Sequence, residues 1–391
     1  MSALRLPLRH LPQPEPADLA RSRALRERVL DEIERDGFLP FARFMELALY
    51  APGLGYYASG TPKLGAAGDF VTAPETTAFF GAALAAQLAE LIAAGCEDIV
   101  ELGAGSGILA ADILRELERR DRLPRRYGIL EISAALAERQ RTTLRETVPH
   151  LLDRVHWLER LPQRIRGVVL GNEVLDAMPT ALVTCRNEAL LELGVTRKAP
   201  ASDELTWSSR PARGELLHAA QALQLPEGYT TELHLAARAL VRALSDTLER
   251  GVVLLLDYGF TRREYYHPQR NRGTLMCHYR HYAHDDPLQL VGLQDISVHV
   301  DFSALADAAH ESGLKVLGYA TQAHLLINCN ILDRLASIPV NDTVRYTKAA
   351  AGVQKLLSPA EMGELFKAIA FGRGIEPPLL GFSSGDRRAT L

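Results

Sequence analysis

The spacing of hydrophobic positions changes near residue 97. Before that point it is helical: within the charged stretch Asp18 to Arg35, Leu25, Val29 and Ile33 fall four apart on one side. Phe41, Phe44, Leu47 and Ala48 repeat the pattern briefly, and the glycine- and proline-rich stretch Ala51 to Asp69 then predicts loop. Thr72 and Glu75 have capping-box spacing ahead of a helix that would bury Phe79, Ala83, Leu84, Leu88, Leu91 and Ile92 and end at Gly95.

From Glu97 onward short apolar runs alternate with helical patterns. Strands are expected at Asp98–Leu102, Tyr127–Glu131, Val155–Leu158 and Gly167–Gly171, and helices at Ile108–Arg120 and Ala134–Glu146. This alternation predicts an α/β fold with a parallel sheet. Thr180–Cys185 and Leu190–Thr196 read as an inserted hairpin, followed by a polar loop to Arg213 with a short strand at Leu205–Ser208. Thr231–Leu248 reads as a helix closed by Gly251, and Val252–Asp257 as a strand covered on both faces. Tyr258 to Val300 has the length and polarity of a lid or binding loop. Beyond it we expect a helix at Phe302–Ser312, a strand at Leu314–Ala320, and helical segments interrupted at Pro339 and Pro359.

Composition narrows the function classes. With 47% hydrophobic and 24% charged residues the chain is ordinary for a globular protein, which excludes disordered and collagen-like readings. The net charge of −4 gives no general attraction to nucleic acid or anionic lipid. The longest apolar tract, Ala78 to Ala94, is broken by Gln87 and Glu90 and is too short to span a bilayer. Four scattered cysteines without a CxxC pair fit a reducing compartment. Arg5 and Arg9 faintly suggest a transit peptide, but Pro7, Pro12, Pro14 and Pro16 forbid a continuous amphipathic helix there, so a cytoplasmic location is expected.

Two constellations carry chemistry. The first is the loop Glu101-Leu-Gly103-Ala104-Gly105-Ser-Gly107 between a strand and a helix, where glycines allow a sharp turn and close approach of a nucleotide-like ligand. A dinucleotide fingerprint starting at Gly103 would need glycine at 108, which is Ile108. Glu101 would repel a pyrophosphate, whereas a sulfonium ligand with an amino group would welcome it, so the loop favours S-adenosylmethionine over NAD. Glu131, with Ile132 beside it, ends the next strand, where an acid can accept both ribose hydroxyls; a solvated strand end is the plainer alternative. The second is Asn172-Glu173-Val-Leu-Asp176-Ala-Met-Pro179 beyond the strand ending at Leu170. Ligands sit beyond the carboxyl ends of parallel strands, so Glu173, Asp176 and Asn172 are candidates to hold a cationic nucleophile; Asn172 and Asp176 could equally be helix caps.

These motifs, with Pro52-Gly-Leu-Gly-Tyr-Tyr57, Gly68-Asp-Phe-Val-Thr-Ala-Pro-Glu75, Asp257-Tyr-Gly259 and Val300-Asp-Phe302, occur in the order found in the MidA-like class I methyltransferases, which the chain resembles from about Phe38 to Leu326. That family includes the mitochondrial enzyme that methylates an arginine of a respiratory complex I subunit. The resemblance implies a Rossmann-like fold with a mostly parallel seven-stranded sheet, and a protein methyltransferase that uses S-adenosylmethionine. It also implies that Gly68, Asp69, Phe70 and Thr72 fold over the cofactor.

On that reading residues 1–95 form a helical cover, and 96–391 form a methyltransferase core with insertions at 180–230 and 258–300. A protein substrate is expected, with no nucleic acid, membrane or metal, and with a homodimer left open. Arginine is the leading acceptor, and a small-molecule acceptor and a non-catalytic assembly factor that binds the cofactor are the alternatives. Within the lid, Cys277, His278, His281 and His284 lie too close together for the separated ligand pairs of structural zinc, and packing or substrate contact is expected of them. Tyr279, Arg280 and Tyr282 are candidate exposed substrate contacts.

Overall fold

The computed structural model describes residues 4–5, 11–59, 72–200, 202–339 and 341–391. Its centre is a sheet of seven strands: β1 (Asp98–Leu102), β2 (Arg126–Leu130), β3 (Val155–Leu158), β4 (Ile165–Asn172), β5 (Leu248–Phe260), β6 (Lys315–Thr321) and β7 (Phe366–Arg373). Their order across the sheet is β6-β7-β5-β4-β1-β2-β3, and Val300–Asp301 pairs beside the end of β5. Strands β3, β2, β1, β4 and β5 are mutually parallel, and β7 runs antiparallel between β5 and β6.

Alternation along the strands divides the apolar residues between two cores. Ile99, Val168, Leu170, Val252 and Leu254 join the cluster beneath helices Phe79–Ala93 and Ile108–Arg119. Val100, Val169, Val253 and Leu255 join the cluster under helices Leu235–Thr247 and Phe302–Glu311. Covering both faces is what gives these strands their continuous apolar runs.

Several expectations change. The helix near 231 begins at Leu235, because Thr230–Leu233 pairs antiparallel with Ala181–Arg186. Gly251 lies inside β5 next to a bulge and does not close the helix. At its φ of +144°, a Cβ would fall 1.8 Å from the Gly167 carbonyl oxygen, so the strands can approach here only around glycine. The stretch expected to be polar loop up to Arg213 carries a strand to Pro211, and helix Gly214–Leu223 follows it. The region beyond Ala320 is not wholly helical as expected, since β7 completes the sheet. The Thr72–Glu75 capping box does not form: the Thr72 side chain makes no cap hydrogen bond, and the Glu75 carboxylate accepts from Ser106 Oγ.

The segment 258–300 is structured. Met276–Tyr279, Tyr282–His284 and Asp295–Ser297 pair in a small sheet that Leu4–Arg5 extends. A separate apolar cluster ties this sheet to the N-terminal helices Pro16–Asp36 and Phe41–Tyr50 and to the inserted strands; it includes Leu25, Phe44, Val195, Cys277, Ile296 and Ala177. It therefore packs onto the turn that follows β4.

Candidate functional site

A cavity of about 870 Å³ opens beyond the carboxyl ends of β1, β2, β4 and β5. Among the described residues, eight carboxylates line it against a single lysine, Lys355. Glu101, Gly103, Ala104, Gly105, Glu131, Ile132, Asn172, Glu173, Asp176 and Thr72 all contribute to its wall, so residues from both constellations meet there. Gly68, Asp69 and Phe70 lie outside the described residues.

At the β1 end, Gly103, Gly105 and Gly107 take φ values of +59°, +53° and +84°, the left-handed region that glycine enters without strain. A Cβ on Gly107 would also come within 3.0 Å of Gln140 Cα. Gln140 fixes this corner. Its Nε2 donates to the Gly105 carbonyl (3.1 Å) and to Glu131 Oε2 (2.8 Å), and its Oε1 accepts from Trp157 Nε1 (3.0 Å). The Ser133 N–H donates to the other Glu131 oxygen at 2.9 Å. Glu101 is buried, and its Oε2 accepts from the Tyr127 hydroxyl at 2.8 Å. Burial pushes its carboxyl up to about 7, while the Tyr127 hydrogen bond pulls it down.

At the β4 end, Glu173 has a φ of +53°. Its Oε1 accepts from the Ala73 N–H (3.2 Å) and from Asn172 Nδ2 (3.0 Å). Asp176 Oδ2 accepts from the Tyr258 hydroxyl at 2.6 Å. Burial raises both carboxyls to about 7, with the Asp176 charge adding to the effect on Glu173 and that of Asp295 to the effect on Asp176. Asp257 holds the turn, since its Oδ2 accepts from the N–H groups of Leu175 (2.9 Å) and Asp176 (3.3 Å). Two acceptors here are buried without a partner: Asn172 Oδ1 and Asp176 Oδ1. Buried acceptors that remain unpaired cost free energy, so this pair marks where a donor-rich ligand would be stabilised.

Sequence reasoning did not single out several cavity residues. Tyr50 and Tyr57 stack at 5.6 Å, and Tyr57 donates to Asp295 Oδ1 at 2.8 Å. His299 stacks on Phe260, and burial pushes it down to about 4, so it is neutral at pH 7. Tyr57 and Tyr258 do fall within the recognised motifs, whereas Asp295 and His299 sit in the expected lid without a motif of their own.

The pleat of the small sheet separates the Cys/His group. Cys277 is buried in the apolar cluster, His278 lines the cavity, and His281 lies in the turn between strands with a φ of +68°. No group of three possible metal ligands occurs among the described residues. Tyr279 is buried too, which corrects its expected exposure.

Strand order, the glycine loop and acids beyond β1, β2 and β4 together define a Rossmann-like class I methyltransferase. Residues 83–320 match the model of a family described as S-adenosyl-L-methionine-dependent methyltransferases, and the chain belongs to that family. A crystal structure from Burkholderia thailandensis with S-adenosylhomocysteine bound is 47% identical; the match covers 97% of this chain and 100% of that one, with a TM-score of 0.93. The mitochondrial protein arginine methyltransferase NDUFAF7 of Mus musculus is 28% identical, over 91% of this chain and 86% of its own. Its Danio rerio counterpart is 27% identical, over 88% and 86%.

The chain is thus an S-adenosylmethionine-dependent methyltransferase. The residues present fit that cofactor, with a glycine cradle that side chains would fill and buried acids suited to its ammonium and ribose groups. The mitochondrial designation of these relatives overturns the expected cytoplasmic location. Scattered cysteines, all four free and buried, separate reducing from oxidising compartments but not one reducing compartment from another.

Proposed function

We propose that the chain methylates an arginine side chain of a partner protein. The observation that carries this reading is the buried, acid-lined end of the cavity, where Asp176 Oδ1 and Asn172 Oδ1 have no hydrogen-bond partner. A guanidinium has five donors in a planar fork and stays cationic, since its pKa lies above about 12. It offers both the charge and the hydrogen-bonding geometry that these acceptors lack. The names of the NDUFAF7 relatives support the same acceptor.

In this reading Glu101, Gly103, Ala104, Gly105, Gly107, Glu131 and Ile132 hold the cofactor, with Thr72 and Asn172 at its edge. S-adenosylmethionine supplies an electrophilic methyl group. Glu173 and Asp176 orient the guanidinium and draw its charge toward the nitrogens that do not attack. Alignment of this kind is worth up to about 7–11 kcal/mol in favourable cases. Asp176 Oδ1 takes the proton that the methylated nitrogen releases, a role suited to a carboxyl raised to about 7. The described parts of residues 1–95 and of the insertions at 180–230 and 258–300 form the substrate-facing cover of the 96–391 core, although helix Phe79–Ala93 packs directly on the sheet.

The test separates cofactor affinity from turnover. Glu173→Gln and Asp176→Asn are expected to bind S-adenosylhomocysteine as the wild type does and to lose at least about 100-fold in labelled-methyl incorporation into a protein extract, in the range for removal of one preorganised electrostatic group. Equal loss of affinity and turnover would return these acids to cofactor binding and remove the basis for the acceptor site.

A further inference from the structure

We propose that Asp295 is a third substrate-contacting carboxylate, which clamps the acceptor guanidinium together with Asp176, and that Tyr57 is the positioning residue that holds it. The proposal rests on the arginine reading above and identifies a residue which that reading does not need.

Asp295 belongs to the small sheet, far in sequence from the β4 turn, yet the fold brings it close to both Asp176 and Tyr57. It is 4% exposed and lines the same cavity as Asp176. The Val298 N–H donates to the Asp176 carbonyl at 3.0 Å, so the strand carrying Asp295 is stitched to the turn carrying Asp176. Two acids enclosed in one cavity repel each other, and the charge of Asp295 is the largest influence on Asp176 after burial itself. Lys355 faces Glu173, His299 is neutral, and His278 stands opposite Asp295 across the small sheet and lines the same cavity. A cation entering between Asp176 and Asp295 removes the repulsion and supplies donors to the unpaired Asp176 Oδ1.

The support around Asp295 is built. The Tyr57 hydroxyl donates to Asp295 Oδ1 at 2.8 Å, and its ring is stacked on Tyr50, whose hydroxyl donates to the Ala177 carbonyl at 2.9 Å. The Tyr57 carbonyl in turn accepts from Ser133 Oγ at 2.7 Å, and the Ser133 N–H donates to Glu131 at 2.9 Å. Tyr57 thus stands between the acid of the acceptor end and the acid of the cofactor end. Fixing one oxygen of Asp295 orients the carboxylate as a whole, which is what bidentate recognition of a guanidinium needs.

The test is a ligand-observed NMR titration of the protein loaded with S-adenosylhomocysteine. The probes are N-acetyl-arginine methylamide and its neutral isostere N-acetyl-citrulline methylamide. Wild type is expected to favour the arginine probe by about tenfold or more, the scale of hydrogen bonds to charged groups. Asp295→Asn should abolish most of that preference at unchanged S-adenosylhomocysteine affinity, and Tyr57→Phe should weaken the arginine probe about threefold. If wild type shows no preference, the arginine reading fails and takes this proposal with it. If wild type prefers arginine and Asp295→Asn does so equally, the proposal fails while the reading stands. Should Asp295→Asn not bind S-adenosylhomocysteine, Tyr57→Phe decides: weaker arginine binding supports the clamp, and unchanged binding overturns it.

Discussion

Replacing Tyr127 with phenylalanine isolates the charge state of Glu101. The variant removes one hydroxyl, at 0% exposure, and with it the 2.8 Å hydrogen bond that favours the Glu101 carboxylate. A hydrogen bond to a charged group is worth about 1.5–3 kcal/mol, and each pKa unit corresponds to about 1.4 kcal/mol. The Glu101 carboxyl, about 7 in the wild type, should therefore rise by about one to two units. If the ionised form receives the cofactor's ammonium, wild-type affinity for S-adenosylhomocysteine should be near its plateau at pH 8 and fall about tenfold per unit well below pH 7. In Tyr127→Phe the ionised fraction at pH 7 drops from about one half to between roughly 0.1 and 0.01, so affinity there should fall about 5- to 50-fold. Part of the loss should return by pH 8.5. Isothermal titration calorimetry from pH 5.5 to 8.5 reads this directly. A wild-type profile flat from pH 6 to 8, or one identical in the variant, would refute Glu101 as an ionised cofactor ligand.

Other outcomes follow from the same geometry. Burial holds the carboxyls of Glu101, Glu173 and Asp176 near 7, above their ordinary values, so the folded protein binds more protons than the unfolded chain between about pH 4.5 and 7. Their contribution to stability without cofactor is present at the low end of that window and is lost as pH rises through it; the Tm should be lower at pH 8 than at pH 5.5, and a rise would contradict this. Glu101→Gln removes a penalty of up to ~3 kcal/mol at pH 8, so it should raise the cofactor-free Tm there and weaken S-adenosylhomocysteine more than tenfold, whereas a lower Tm would show that the ionised carboxylate stabilises the fold. Gly107→Ala places a side chain at a φ of +84° against Gln140, and should cost about 1–2 kcal/mol and weaken the cofactor, as calorimetry and thermal melts can check.

The parts of the fold legible in the sequence are those that depend on neighbours along the chain. The pattern places β1 at Asp98–Leu102, which is where it lies, and the strand–glycine–helix order points to the parallel sheet that the pairing of β1 with β2 shows. Strand β7 escaped because Ala368 and Ala370 alternate with Ile369 and Phe371 between two cores, and a short alanine-containing run after Pro359 also suits a helix. The segment 258–300 read as loop because its strands are three or four residues long and gain their partners from one another and from Leu4–Arg5, far away in sequence. Glu101, Glu131, Glu173 and Asp176 were legible because each lies at or just beyond the end of a strand that must face the ligand. The contact between Asp295 and Tyr57 was not: 238 positions separate them, and only folding brings the hydroxyl to the carboxylate. The Thr72–Glu75 box failed because Ser106 competes for the Glu75 carboxylate, a contact that local spacing does not reveal.

The most direct test of the account is the identity of the methylated group. The wild-type protein and Asp176→Asn are each incubated with methyl-labelled S-adenosylmethionine and an extract from cells lacking the protein, and the labelled species is identified by tandem mass spectrometry. The account predicts label on a guanidino nitrogen of an arginine in a protein chain, present with the wild type and lost with the variant. Label confined to a small molecule or to another side chain, or label that persists in Asp176→Asn, would contradict it.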